Sequence, residues 1–304
     1  MNLYTAKITS PLHLLHFYTA KNYTAKAMAR IAIIGLVGKS MFFDVPRFHS
    51  GGETIHADGF HEEWGGKGFN QAVAAARQDA AVSFLGAVGA SDTKPLKDFC
   101  SKEGIRAALA AKKDATACAA ILTDGTGETR VTVYRGAELS ARDVDGFAGA
   151  IATADFLLLN NEVPEAVNLA AVELAVKYGA RILFNPAPAR NLPKAIRDAV
   201  SVWTPNEFEE AALGDVAGEV VTTLGAKGCR IRSTGEIVPA PPAKAVDTTG
   251  AGDTFSAVFA VRLAEDEALR DACIAANAAA AEEVTMRYVM PSIPRRHWSA
   301  GNVL

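Results

Sequence analysis

The chain of 304 residues lacks several features that would fix a function at once. Its four cysteines, Cys100, Cys118, Cys229 and Cys273, are far apart and form no C-x-x-C pair. That excludes a disulfide framework or a zinc ribbon and suits reduced thiols in a cytoplasm. No apolar run approaches the ~18 residues of a membrane span. Charge of one sign is also missing: the net charge is −3 and Lys and Arg are dispersed. Without a basic face, a small-molecule partner is expected rather than a nucleic acid or a membrane. The first apolar run, with Gly35 and Gly38, lacks the third glycine of a dinucleotide fingerprint, and no acidic residue stands convincingly at the end of the next strand. A nicotinamide oxidoreductase is therefore a weak alternative.

What is present is a chain 49% hydrophobic, enough for one large α/β domain, alone or with a smaller appendage. The first segment stands apart. Tyr4-Thr-Ala-Lys7, Tyr18-Thr-Ala-Lys21 and Tyr23-Thr-Ala-Lys26 repeat one tetrapeptide, and the apolar stretch between them is too short and polar for a signal core. Residues 1–27 are read as a leader outside the fold, with the domain over 28–304.

The continuous apolar run over 31–37 predicts a buried parallel strand. Further strands are expected over 82–86, 156–159, 181–184 and 199–203, and helices over 68–77, 165–178, 254–263 and 271–283. The helix over 254–263 is expected to be amphipathic, with Phe255, Val258, Phe259 and Arg262 on one face. The runs 118–123 and 129–134 flank Asp124-Gly-Thr-Gly127, a hairpin signal. Alternating strands and helices predict a mostly parallel sheet covered on both faces, with the site at the carboxyl ends of its strands. The more polar pieces near 39–64 and 105–135 are expected to meet as a small sheet, a lid that excludes water from the site.

Two glycine clusters carry chemistry. In Asp247-Thr-Thr-Gly-Ala-Gly-Asp253-Thr-Phe a tight turn feeds into a helix, so backbone N–H groups and the helix dipole converge on an anion. Asp253 stands where it can cap the helix or act as a base beside that anion. In Trp64-Gly-Gly-Lys-Gly-Phe-Asn-Gln-Ala72 another glycine turn enters a helix and places a cation and an amide near closely approaching backbone. Each cluster alone is also readable as an ordinary capped helix start.

Together with Asn185-Pro-Ala-Pro-Ala-Arg190 and Thr204-Pro-Asn-Glu-Phe-Glu209, these segments resemble, in order, those of the ribokinase-like, phosphofructokinase-B-type carbohydrate kinases. The resemblance covers about Ile31 to Pro294. It implies a three-layer α/β/α sandwich with a small β-sheet lid, and ATP-dependent transfer of a phosphoryl group to a sugar hydroxyl, a primary one. It implies Asp253 as the base and Gly250, Ala251 and Gly252 as the anion hole. Gly66, Lys67, Asn70 and Glu162 would hold the sugar. Asn206 and Glu209 match an Asn-x-x-Glu element that helps hold Mg2+, partly through water. Thr223, Gly225 and Gly228 resemble a nucleotide-contacting strand end, and Asn277 lies where the family lines the adenine pocket. Asp247, the Thr249 carbonyl and Ser292 fall where ribokinases bind an activating monovalent cation such as K+. A solvated strand-end carboxylate would account for Glu162, and helix capping, turn bonding or packing for Asn206, Glu209, Asn277 and the cation residues, as ordinary structure.

Two departures stand out. The Asn-x-Asp pair that ribokinases carry after the first strand is Gly38 and Ser40 here, with Lys39 between. A hydrogen bond to a charged group contributes roughly 1.5–3 kcal/mol, so its loss weakens a ribose complex by about one to two powers of ten. Ser40 is expected to bind the sugar by donating or accepting a hydrogen bond but brings no charge, and Asp44 would substitute only if the chain turns. The acceptor is then another pentose, a hexose or hexose phosphate, or a nucleoside. A non-catalytic sugar or nucleotide sensor is the other alternative. Between Leu213 and Thr223 the chain is too short for the helix the family runs there. A homodimer is expected from pairing of lid strands.

Overall fold

The computed structural model describes residues 28–296; the expected leader over 1–27 lies outside them. A nine-stranded sheet forms the centre. In chain order its strands are β1 (Arg30–Ile34), β4 (Ala81–Gly89), β5 (Arg106–Lys112), β8 (Phe156–Asn160), β9 (Arg181–Asn185), β10 (Val202–Trp203), β11 (Glu219–Thr223), β12 (Cys229–Ile231) and β13 (Ile237–Val238). Their spatial order is β13-β12-β11-β10-β9-β8-β1-β4-β5. Pairing is parallel from β5 across to β11 and antiparallel for β12 and β13.

The central strands are apolar throughout because both faces are covered. Along β1, Ile31 and Ile33 enter one core cluster while Ala32 and Ile34 enter the other. Strand β8 alternates likewise, with Phe156 and Leu158 on one side and Leu157 and Leu159 on the other. The first layer holds α1 (Lys67–Arg77), α2 (Thr93–Lys102), α8 (Ala251–Ala264) and α9 (Leu269–Glu283). The second holds α3 (Ala141–Asp145), α4 (Ala148–Thr153), α5 (Glu165–Tyr178), α6 (Lys194–Ala199) and α7 (Glu207–Leu213). The expected three-layer sandwich is present.

A second sheet, β3-β2-β6-β7, is built from β2 (Gly38–Asp44), β3 (Gly59–Gly65), β6 (Ala117–Thr123) and β7 (Thr129–Tyr134). The hairpin at 124–127 joins β6 to β7 as expected. The proposed lid boundary needs correction, however. The run 106–112 is β5 and pairs with β4 in the large sheet, so only the stretch from 117 onward joins the small one.

Two further expectations are corrected. The strand over 199–203 shrinks to the two residues of β10, because 194–199 close a helical turn first. Helix α8 is not amphipathic. Every residue from Asp253 to Val261 is buried, since α8 packs between α1 and α9; a helix apolar all round belongs inside. The short link over 214–218 does carry the chain from α7 to β11 without another helix.

Strand β1 has β4 on one side and β8 on the other, and the chain visits the β4 side first. At such a reversal the connections leave in opposite directions and open a crevice at the carboxyl ends. Gly35, just past β1, lets α1 close in: a Cβ there would lie 2.6 Å from Gly68 Cα. Among the described residues no helix is long and apolar enough to cross a membrane.

Candidate active site

Along the same carboxyl edge, past β9, β10 and β11, lies a cavity of about 960 Å³ whose wall includes Lys67, Asn185, Thr204 and Thr223. Gly250 sits at its wall as the N-cap of α8 with φ 88°, a left-handed conformation suited to glycine. A Cβ on Gly250 would also lie 2.5 Å from Glu283 Oε1, so both backbone and space require glycine. Ala251 and Gly252 open the helix with first-turn N–H groups that have no intrahelical partner. Beside Gly252 a Cβ would meet nothing within 4 Å, so backbone there is open to the cavity.

Asp253, in the first turn of α8, does not cap the helix; Gly250 holds that position. Its carboxylate turns instead toward α1, where Asn70 Nδ2 donates at 2.9 Å and Gln71 Nε2 at 3.4 Å. Burial pushes the Asp253 carboxyl up, and Lys67 with the two amides pulls against that. Lys67 starts α1 and is held charged chiefly by Asp253, then by Glu162 and Glu209. Glu162 follows β8, and its Oε2 accepts the Lys67 N–H at 2.7 Å. Burial and the neighbouring Asp253 push Glu162 up to about 7.

Asn206, Glu209, Thr223, Gly225, Gly228, Asn277 and Thr249 line the same cavity as Lys67 and the 250–253 segment. Asn206 and Glu209 also form a capping box: Asn206 Oδ1 accepts the Glu209 N–H at 2.8 Å and Glu209 Oε2 accepts the Asn206 N–H at 2.9 Å. Asn277 Nδ2 donates to the Val238 carbonyl at 2.9 Å, which holds β13 to α9. These residues thus have structural partners and still face the cavity.

Gly66, Asn70 and Glu162 stand behind the wall and touch it through Lys67 and Asp253. Ser40 is not on the wall; it lies in β2 opposite Glu63 and Ala119. A side chain at position 38 has no room, since a Cβ on Gly38 would lie 2.7 Å from the Ala117 carbonyl oxygen. Asp44 does not replace the missing acid, because it forms an ion pair with Arg287. Asp247 Oδ1 accepts the Thr249 N–H at 2.9 Å and Oδ2 the Tyr288 N–H at 3.3 Å. The Ser292 hydroxyl donates to the Tyr288 carbonyl, so Asp247 and Ser292 meet at Tyr288.

Three contributors were not singled out from sequence. Gln71 lies inside the quoted glycine motif, and its place beside Asn70 was the available signal. Phe208, 77% exposed on the cavity wall, interrupts the acidic start of α7. Glu283 is 1% exposed, with Thr254 as its side-chain hydrogen-bonding neighbour. Burial pushes its carboxyl up to about 8, and Asp253 and Asp247 add to that. Nothing in an alanine-rich helix end announces it.

An acid kept dry in the first turn of a buried helix, at the carboxyl edge of a doubly covered parallel sheet, is the equipment of an α/β phosphotransferase. Comparison with known proteins narrows this. The model of the pfkB family carbohydrate kinases matches residues 28–296. The ribokinase of Haemophilus influenzae is 33% identical over 88% of this chain and 95% of its own. The crystal structure of Thermotoga maritima ribokinase superposes with a TM-score of 0.80 at 30% identity, covering 88% of this chain and 97% of that one. A Cryptococcus neoformans ribokinase solved with ADP gives 0.74 at 27% identity, over 88% and 97%. The chain belongs to the pfkB carbohydrate kinase family, and it is a sugar kinase by class.

Proposed function

We propose that the chain transfers the γ-phosphoryl group of ATP to a primary hydroxyl of a sugar, with Asp253 as general base. The observation that carries this reading is the burial of Asp253 in the first turn of α8, on a wall shared with Lys67. Burial raises the affinity of Asp253 for a proton, which suits a group that takes one from an alcohol. Asn70 and Gln71 hold the carboxylate in one orientation. The N–H groups of Gly250, Ala251 and Gly252 face the negative charge that spreads over the moving group. Glu162 fixes the Lys67 backbone and offers its other oxygen to the acceptor.

The ADP-bound neighbour supports nucleotide use on the Asn206, Thr223, Gly225, Gly228 and Asn277 side. Among the described residues no three His, Cys, Asp or Glu side chains cluster. The fit is therefore to Mg2+ held by Glu209, with Asn206, water and phosphates completing the shell. Mg2+ there would neutralise phosphate charge. Asp247, Thr249 and Ser292 would hold a monovalent cation such as K+ beside the anion-hole turn.

The small sheet acts as the lid over the acceptor. Its edge strand β7 is exposed along its whole length, with Val131 57% and Val133 65% exposed. A second copy pairing there would cover them, which supports a homodimer. Free thiols throughout the described chain suit the cytoplasm. Because Gly38 and Ser40 supply no carboxylate, the acceptor is not ribose bound in the usual way. A nucleoside acceptor fits the same chemistry.

ADP release with ATP, Mg2+ and K+ should be measured against pentoses, hexoses, their phosphates and nucleosides. Release that needs one acceptor and vanishes in Asp253→Asn is expected. Nucleotide binding without turnover on any acceptor would favour the sensor reading.

A further inference from the structure

Residues 288–290 lie between the small sheet and the anion-hole turn, and two of them engage both sides. The Val289 N–H donates to Glu63 Oε1 at 2.9 Å and the Met290 N–H to Glu63 Oε2 at 3.2 Å. Glu63 belongs to β3; its side chain is 6% exposed, with His61 Nε2 3.1 Å from Oε2. On its other side, Val289 packs on the turn: a Cβ on Gly250 would lie 2.7 Å from Val289 Cγ1. Tyr288 repeats the arrangement. Its ring stacks on His61 of β3 with centroids 3.9 Å apart and meets Phe42 of β2 edge-on at 5.0 Å. Its N–H holds Asp247, where the turn begins. Tyr288 has φ 69°, which a bulky residue adopts only where its surroundings over-determine it.

We propose that Glu63 is a positioning residue for phosphoryl transfer. It latches the 288–290 segment so that the small sheet and the anion-hole turn keep one spacing. A buried carboxylate that accepts two backbone N–H groups makes short, charge-assisted bonds, and the low local dielectric strengthens them. Glu63 is not on the cavity wall, so it acts through Val289 and Gly250. The sheet over the acceptor thereby fixes the N–H groups that face the transferred charge. Displacement of such groups by about 1 Å can cost on the order of 10²-fold in rate. The kinetic part of this inference rests on the kinase reading; the structural coupling does not.

The test is Glu63→Ala and Glu63→Gln in the full chain, read by hydrogen–deuterium exchange over 247–253 and by steady-state kinetics with MgATP and the acceptor found above. In Glu63→Ala, exchange at the turn should rise about tenfold or more. Its kcat should fall by about one to two powers of ten, the worth of hydrogen bonds to a charged group, with KM for MgATP nearly unchanged. Glu63→Gln should lie between, because its amide oxygen still accepts one N–H; it carries the test if the alanine variant does not fold. An unfolded fraction would also lower apparent kcat at unchanged KM, so kcat is taken per folded enzyme, well below each variant's melting midpoint. Wild-type exchange at the turn together with wild-type kcat in folded variants would overturn the latch. Faster exchange in the variants, with no wild-type turnover on any acceptor, would sink the kinase reading and leave the latch standing.

Discussion

The two halves of the cavity are built by different rules. The half proposed to take the acceptor is buried and interlocked: Asp253 is 4% exposed and Asn70 6%, and their side chains bond each other across α1 and α8. The nucleotide half is an open shelf, made of the start of α7 and the loops around β11 and β12, with Phe208 77% exposed. The difference follows from what each half must do. A base needs a fixed position and a dry surrounding that raises its proton affinity. A shelf for a highly charged ligand needs backbone donors and a cation, and the ligand supplies the rest. Lys67 joins the halves, since Asp253, Glu162 and Glu209 all stabilise its charge.

The strongest way to break the comparison is Asp253→Asn. It keeps the shape of the buried half and removes the proposed base, so kcat should fall ~10²–10⁴-fold while nucleotide binding, followed by a melting shift, persists. Equal loss of binding would mean that the halves are not separable. Next in size is Glu209→Gln on the open half. A glutamine still completes the capping box with Asn206, so the fold should hold. KM for MgATP should rise about tenfold or more as a charged contact is lost; an unchanged Mg2+ dependence would remove Glu209 from the metal site.

Glu283→Gln sharpens the comparison by its pH dependence. Burial raises the folded-state pKa of Glu283 from an ordinary value near 4.5 to about 8. The folded protein then holds this proton more tightly than the unfolded chain, so stability is lost as pH rises through that window. The variant cannot ionise. It should melt close to the wild type at pH 4.5 and higher than it at pH 8, by on the order of 5 °C. Parallel melting curves across that range would show that Glu283 is not held neutral. The smallest effect is expected for Phe208→Ala, within about 0.5 kcal/mol in stability because the ring is exposed. A two- to threefold rise in KM for ATP, about 0.4–0.65 kcal/mol, would show that the ring covers the bound nucleotide.

Legibility in the sequence followed the reach of the interactions. The strands β1, β8 and β9, the helices α1 and α5, and the β6–β7 hairpin were readable because each depends on local periodicity or turn chemistry. The assignment of 105–112 to the small sheet failed because an edge strand of either sheet reads alike; the partner strand decides. The amphipathic reading of α8 failed because Ala257, Ala260 and Ser256 look tolerant of solvent, yet α1 and α9 close over them. Within the site, the glycine-flanked turn announced the left-handed Gly250 that opens α8. The pairing of Asp253 with Gln71, the bonds of Glu63 to the 289–290 backbone and the burial of Glu283 beside Thr254 join residues far apart in the chain, and no local signal carries such contacts.

The sequence by itself determined the fold class, the family and the turn at 247–253, since alternation, helix periodicity and a glycine at a left-handed position are written in neighbouring residues. Only the tertiary structure decided how acidic groups divide their work. Asp253 is poised beside the cavity, Glu162 is anchored to the Lys67 backbone, Asp44 is spent on Arg287 and Glu283 is sealed in. The physical reason is that a carboxylate's behaviour depends on its burial and its charged neighbours, and both are set by packing between elements distant in sequence.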